Sequence, residues 1–320
     1  MISVAMATYN GEQYITEQLQ SICNQTQKVD EIVITDDCST DRTVVMIRKF
    51  AEEHSGCPIR LYENEINLGY KRNFRKAVSL CEGDVVFLSD QDDVWKPEKV
   101  EVMYKVLQKD SKVSLLSSSF EQIDGDGNVI AENKNLYKKG LKNDKMVPVP
   151  LEDLIFHNIS QGCAMAFKTD VKDLFLEHFT EELPHDWILN VVAAMQKKCY
   201  FIKRTLFCYR VHGSNTTGVN DNLTLQHKKM LKTRAFDARQ AIRVIAMIKE
   251  IDSKFYTEHP MLAKAEEFAI KHIEYLQNGN IKGIICQNFN SNYKRLKTFR
   301  GRLLDIYFVM KTNKVQGGPR

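Results

Sequence analysis

Phe87-Leu-Ser-Asp90-Gln-Asp92-Asp93-Val-Trp95 places three carboxylates directly behind a short apolar run. A run of that length bounded by polar residues predicts a buried strand, Asp84–Ser89, and ligands of open α/β sheets bind where strands end at their carboxyl termini. Clustered oxygen ligands suit Mg²⁺ or Mn²⁺, which takes one or two carboxylates and leaves its other positions to phosphate and water. The plainer alternative is an acidic helix start that complements the macrodipole ahead of Pro97.

Three further strings lie upstream. Ile32-Val-Ile-Thr-Asp36-Asp37-Cys-Ser39-Thr-Asp41 is a second acidic strand end; Asp36 can accept hydrogen bonds from a nucleobase or ribose, while Ser39 or Asp41 can cap the following helix. Thr8-Tyr9-Asn10-Gly11 closes the first strand with a polar turn. Asn67-Leu-Gly69-Tyr-Lys-Arg72-Asn73 adds a glycine and a cation able to donate to base or phosphate, or to lie on the surface.

Between these strings the periodicity alternates. Ile2–Thr8, Glu31–Asp36 and Ile59–Tyr62 read as strands; Glu12–Asn24, Asp41–His54, Tyr70–Cys81 and a stretch starting at Pro97 read as helices. That series predicts a parallel sheet covered by helices. Val113–Ile123 and Val129–Glu132 flank Asp124-Gly-Asp-Gly-Asn, a hairpin turn that imitates an EF-hand but lacks its sixth-position glycine and terminal glutamate. Asn133–Pro150 reads as a polar, mobile loop, Gly162–Lys168 as a strand, Asp186–Gln196 as a helix and Cys199–Tyr209 as a strand. Beyond Asn222 the pattern is helical, with Pro260 as its internal break.

Composition excludes other classes. The 320 residues are 43% hydrophobic and 27% charged, ordinary for a folded chain and far from collagen-like or disordered usage. No apolar run approaches a membrane span, and MISVAMATYN reads as a core strand rather than a signal peptide. Eight cysteines without a C-x-x-C pair predict reduced thiols and a cytoplasmic setting, in which the sequons at Asn24, Asn158, Asn215 and Asn222 are chance matches. The net charge of +4 conceals an asymmetry: Asp221–Arg320 holds 19 Lys/Arg against 9 Asp/Glu. Tyr293-Lys-Arg-Leu-Lys-Thr-Phe-Arg-Gly-Arg-Leu-Leu mixes cations with apolar groups, which suits an anionic membrane surface or a solvated helix face. Nucleic acid is not expected, because no helix-turn-helix, zinc-finger or RNP-like signature accompanies the charge.

Taken in order, the four strings of Met1–Trp95 resemble the family 2 glycosyltransferases. The resemblance extends through Gln161-Gly-Cys-Ala, Pro184-His185-Asp186-Trp187 and Tyr209-Arg210-Val-His212-Gly213-Ser214-Asn215. It implies an α/β fold of GT-A type, a nucleotide-sugar-binding sheet flanked by helices over residues 1–218, followed by a helical, basic region over 219–320. It further implies a donor site lined by Thr8, Tyr9, Asn10, Asp36, Asp37 and Arg72, in which Thr8, Asp36 and Arg72 hold the nucleoside and Asp90 approaches the ribose or sugar. Asp92 would hold Mn²⁺ or Mg²⁺ on the diphosphate, and Arg210 and His212 would meet the diphosphate or complete the metal shell. Asp186 matches the base; the family usually carries Glu before it, whereas His185 resembles the variant of rhamnosyltransferase-type members.

Elementary chemistry supports those roles independently. Displacing a nucleoside diphosphate requires charge neutralisation on the leaving oxygens, and an ionised carboxylate within reach can take the proton of the attacking hydroxyl. Trp187, beside that carboxylate, can offer an apolar face to a sugar. What the resemblance implies is inverting, metal-dependent transfer from a UDP-hexose or dTDP-rhamnose to a glycan, glycoprotein or lipid-linked acceptor, in bacterial surface polysaccharide or glycoprotein assembly. The tail is expected to touch membrane at the inner face, acceptor or a second subunit of a homo-oligomer. A sugar nucleotidyltransferase would show a Gly-rich loop with a nearby cation after the first strand, which Ala7-Thr-Tyr-Asn-Gly lacks. A non-catalytic glycan-binding scaffold is the other alternative, and intact Asp90, Asp92 and Asp186 speak against it.

Overall fold

The computed structural model describes residues 1–131, 137, 141–212 and 231–316. They form two compact units, one of Met1–Leu151 with Ile159–Asn215 and one of Glu152–Asn158 with Thr216–Arg320. The boundary expected after residue 218 lies outside the described residues, and nothing in the sequence signals that 152–158 joins the second unit.

The first unit opens with the alternation that the periodicity predicts: β1 (Ile2–Thr8), α1 (Ile15–Cys23), β2 (Glu31–Asp36), α2 (Thr43–Glu53), β3 (Ile59–Glu63), α3 (Tyr70–Leu80) and β4 (Val85–Ser89). Then come β5 (Val94–Trp95), α4 (Lys99–Lys109), β6 (Leu115–Ile123), β7 (Val129–Ala131), β8 (Met146–Pro148), α5 (Leu151–Leu154, all but its first residue in the second unit), β9 (Met165–Lys168), α6 (Thr169–Glu177), α7 (His185–Met195) and β10 (Cys199–Arg210). The sheet runs β3-β2-β1-β4-β9-β6-β10-β5, with β7 on β6 and β8 on β10. β1 and β4 read as continuous apolar runs because both faces of each are buried, as a central parallel strand requires.

Two features depart from the parallel sheet expected. β9 pairs antiparallel with both β4 and β6, and β5 pairs antiparallel with β10, so the sheet is mixed. The stretch Asn133–Pro150 is not loop throughout, since Met146–Pro148 pairs with Tyr200–Ile202; most of its first half lies outside the described residues. The hairpin forms as expected: the Asp124 carboxylate accepts from the backbone N–H of Asp126 (3.0 Å) and Asn128 (2.9 Å), so it serves its own turn. The expectation of thiols throughout is corrected at one pair. Cys23 and Cys57 form a disulfide, their Cα atoms 5.7 Å apart, within the span that such a bridge needs.

The chain order sets the crevice. From β1 the chain steps outward through β2 and β3, then returns to place β4 on the other side of β1. The carboxyl ends of β1 and β4 therefore diverge at a topological switch point, where an open sheet leaves room for a ligand. Thr8–Gly11 and Asp90–Asp93 emerge there side by side.

The second unit is helical: 231–234, 236–251, 253–258, 260–277, 281–286, 291–296 and 299–316. Pro260 opens a helix at its first turn instead of interrupting one. Asp252, Asn280 and Asn290 supply side-chain N-caps to the three six-residue helices, a device worth about 1 kcal/mol each. No helix among the described residues is long and apolar enough to cross a membrane.

Candidate active site

At the β1 and β2 ends, Thr8 and Asp36 stand opposite in register, and the Thr8 hydroxyl donates to Asp36 Oδ2 at 2.7 Å. Asp36 also accepts from Ser39 N (2.8 Å) and Ser39 Oγ (2.6 Å), which fixes its buried carboxylate. Asn10, at φ 49°, adopts the left-handed conformation that asparagine tolerates, and its Oδ1 accepts from Thr40 N at 2.8 Å. Tyr9 is half exposed, and its backbone N–H and carbonyl are both held by the Gln91 side chain, at 2.8 and 2.9 Å. Gln91 thereby ties the first turn to the acidic loop.

Asp37 is turned elsewhere. Its buried carboxylate accepts from Leu68 N (2.7 Å), Gly69 N (2.8 Å) and Asn64 Nδ2 (2.8 Å). Gly69 sits at φ 76°, a left-handed position that brings its N–H to that carboxylate as α3 begins. Of the two acids expected at the donor site, Asp37 is a strut for the 64–69 turn and Asp36 lies with Thr8. Arg72, in the first turn of α3, forms an ion pair with Glu181; both side chains are more than half exposed, so the pair is weak and open to exchange.

Beyond β4, burial together with nearby Asp92 and Asp186 pushes the Asp90 carboxyl up to about 7. Asp186, remote in sequence, thus lies near enough to the Asp90–Asp92 loop to act on Asp90. His212, two residues beyond the strand β10, meets Asp92 Oδ2 through Nε2 at 2.9 Å, while its ring lies 4.9 Å from that of Tyr14. Arg210 differs from its expected role. It is 1% exposed, and its guanidinium donates to Asp92 O (2.8 Å), Asp124 O (3.2 Å), Gly125 O (3.1 Å) and Glu17 Oε2 (2.5 Å) above the ring of Tyr14. Those bonds make it an internal clamp between β10, the acidic loop and the β6–β7 turn, not a free donor to a diphosphate.

Asp186 occupies the first turn of α7, where the helix dipole favours its ionised form, and its Oδ1 accepts from Trp187 N at 2.8 Å. Pro184, not Asp186, is the N-cap. Trp187 is buried and presents no open face to a sugar; Tyr70, whose hydroxyl is raised by burial and by Asp186, is the aromatic group beside the acid. His185 is buried as well, stacked on Phe74 with ring centroids 4.2 Å apart, and both ring nitrogens lack a hydrogen-bond partner among the described residues. Burial, with Lys71 nearby, pushes it down to about 3, so the ring is neutral. Gly162 makes room for it: a Cβ there would meet His185 Nε2 at 2.6 Å.

Sequence inspection misses the layer beneath. Asp93 is fully buried; one carboxylate oxygen accepts from Arg210 N (3.1 Å) and Oδ2 has no hydrogen-bond partner among the described residues. Lys99, also fully buried, donates to Cys163 O at 2.5 Å and lies 4.0 Å from the Trp95 ring centroid. Burial pushes it down to about 8, with Asp93 and Asp90 pulling it back up. Only an apolar α4 face interrupted by a lysine could have signalled it. Asp90, Asp93 and Cys163 can bring one ligand atom each within 4.8 Å of the others. Burial holds the Cys163 thiol well above its ordinary range, and a neutral sulfur is a poor ligand for a hard cation. Outside that group, Asp92 Oδ2 and His212 Nε2 lie 2.9 Å apart and offer an oxygen and an imidazole donor, and the charge of Asp92 raises the proton affinity of Asp90 nearby.

The model of glycosyl transferase family 2 matches residues 3–175. The dTDP-rhamnosyl transferase RfbG of Shigella flexneri is 30% identical over 261 residues, covering 78% of this chain and 86% of that protein. The abequosyltransferase RfbV of Salmonella typhimurium is 32% identical over 146 residues, 45% of this chain and 42% of that one. The crystal structure of S. aureus TarS 1-349 in complex with UDP-GlcNAc matches with a TM-score of 0.57 at 15% identity, covering 100% of this chain and 93% of that one, a likeness of fold.

Proposed function

The chain belongs to glycosyl transferase family 2 and is a glycosyltransferase; from that premise we propose that it moves a sugar, with inversion, from a nucleotide-sugar donor held at the β1–β4 crevice. The observation that carries the reading is that Asp186 acts on Asp90 in the same loop whose Asp92 meets His212. The similarity to a dTDP-rhamnosyl transferase over most of both chains favours dTDP-rhamnose, and the His-Asp-Trp string supports the same choice; a UDP-hexose is the other donor in view.

Thr8 and Asp36 form a rigid hydrogen-bonded pair facing the nucleoside, and Arg72 can exchange Glu181 for a phosphate or base. Asp92 and His212 would hold Mn²⁺ or Mg²⁺, with Asp90 beside them; such an ion neutralises charge on the leaving diphosphate. Asp186 then takes the proton of the acceptor hydroxyl as that oxygen attacks the anomeric carbon from the face opposite the diphosphate. The acceptor is a hydroxyl-bearing glycan, free, protein-borne or lipid-linked.

The test is release of nucleoside diphosphate from dTDP-rhamnose, UDP-glucose, UDP-galactose and UDP-GlcNAc, each with Mn²⁺ and with chelator. Turnover of one donor that chelator abolishes is expected. Metal-independent turnover removes the cation from the scheme, and failure to bind any donor favours a non-catalytic scaffold.

A further inference from the structure

We propose that the second unit docks on an anionic lipid surface through the outward face of the helix Phe299–Gln316. Phe299, Leu303, Tyr307 and Met310 recur at intervals of four, four and three residues, so they share one stripe of the helix. They are 68%, 51%, 56% and 46% exposed. The opposite face is already committed to the core, with Asp305 and Val309 fully buried and Phe308 nearly so. This helix is thus apolar on both sides, where a helix that meets only water would carry charge outward. The stripe continues onto neighbouring chain: Arg302 donates to Asn288 Oδ1 at 3.2 Å, and the adjoining Phe289 is 91% exposed.

Charge selects the occupant. From Ile281 to Arg320 the sequence has nine Lys/Arg and a single acid, Asp305. That acid is buried, bonded to Tyr293 (2.9 Å) and paired with Arg234 (3.4 Å), so it offers nothing outward. Lys282, Lys294, Arg295, Arg300 and Lys311 are exposed. Aromatic and aliphatic groups rimmed by cations match the boundary between anionic headgroups and acyl chains, where each cation adds about fivefold to partitioning. A second copy of this chain fits poorly, because an isologous contact would set these cations against themselves with no outward acid from this stretch to pair them. A nucleic acid would satisfy the cations but leave the apolar stripe in water.

The inference is independent of the donor chemistry, and its test uses no sugar. The full chain is sedimented with vesicles of phosphatidylcholine alone and of phosphatidylcholine with 40% phosphatidylglycerol. Binding to the anionic vesicles only, weakened at high salt, is expected. Leu303→Glu with Tyr307→Glu should lower it at least tenfold while circular dichroism and the unfolding transition stay those of a folded chain; Arg300→Glu with Lys311→Glu, which leaves the apolar stripe intact, should lower it similarly. Wild-type protein that remains in the supernatant overturns the proposal, as does binding that neither pair of changes weakens. A concentration-dependent dimer dissolved by the Leu303 and Tyr307 changes would give this face to a second copy, and vesicle binding abolished by competing oligonucleotide but retained after loss of the stripe would give it to a polyanion.

Discussion

Asp186 and His185 are neighbours with opposite environments, and the difference defines what each can do. Asp186 stands at a helix start beside Tyr70, whereas the imidazole of His185 is enclosed by Phe74, Tyr70 and Gly162. Asp186→Asn keeps the shape but cannot take a proton. Transfer should fall by about 10²–10⁴ while affinity for the nucleoside diphosphate, measured by calorimetry, is unchanged; a rate near wild type would exclude Asp186 as base. His185 acts on stability. Its folded value of about 3 lies below the unfolded value near 6.5. Its contribution is therefore complete above pH 6.5 and is lost progressively as pH falls toward 3, at up to about 1.4 kcal/mol per pH unit. His185→Phe should flatten that part of the stability-versus-pH curve measured by urea unfolding, and an unaltered slope would mean that another group titrates there. The string Pro184-His185-Asp186-Trp187 made the acid legible, but not which of its neighbours is exposed: Trp187 and His185 go inward and Tyr70, over a hundred residues earlier, takes the place beside the acid.

At the scale of elements, the site is a set of strand ends and the turns that brace them. Strand ends were legible because continuous apolar runs stop abruptly at Thr8, Asp36 and Ser89, each followed by polar residues. The bracing was not, because it depends on which acid of a pair turns inward. Asp36 and Asp37 are indistinguishable as letters, yet the chain leaving β2 after Asp36 sends one toward Thr8 and the next toward Leu68 and Gly69. Arg210 shows the same limit. Adjacent to a crevice of acids it reads as a ligand for phosphate, whereas its burial against Glu17, Asp92, Asp124 and Gly125 makes it the bolt that closes β10 onto the acidic loop. Arg210→Met should therefore cost about 1–3 kcal/mol of stability by chemical denaturation, since it leaves three backbone carbonyls without their donor while half-exposed Glu17 turns to water. A variant as stable as wild type but weaker for diphosphate would return Arg210 to the ligand role.

For the whole molecule, the βαβ alternation of the first ninety residues was enough to place the crevice, since the order β3-β2-β1-β4 follows from short connections and one reversal. The later strands were harder. β5 and β8 are two and three residues long, too short for periodicity, and β9 enters antiparallel between β4 and β6, a pairing that no local pattern encodes. The Cys23–Cys57 bridge likewise depends on α1 and the segment after α2 meeting in space. The Asp90–Asp93–Lys99 layer is a product of the complete fold: burial sets a lysine beneath the acidic loop, where it offsets part of the negative charge gathered above it. What remains uncompensated there is the reason to expect a cation in the crevice. Titration calorimetry of dTDP and UDP into the full chain, with and without Mn²⁺, compares wild type with Asp92→Ala. Mn²⁺ should tighten nucleotide binding to wild type at least tenfold and leave the variant unaffected; an equal effect of Mn²⁺ on both would contradict the placement of cation and diphosphate at Asp92 and His212.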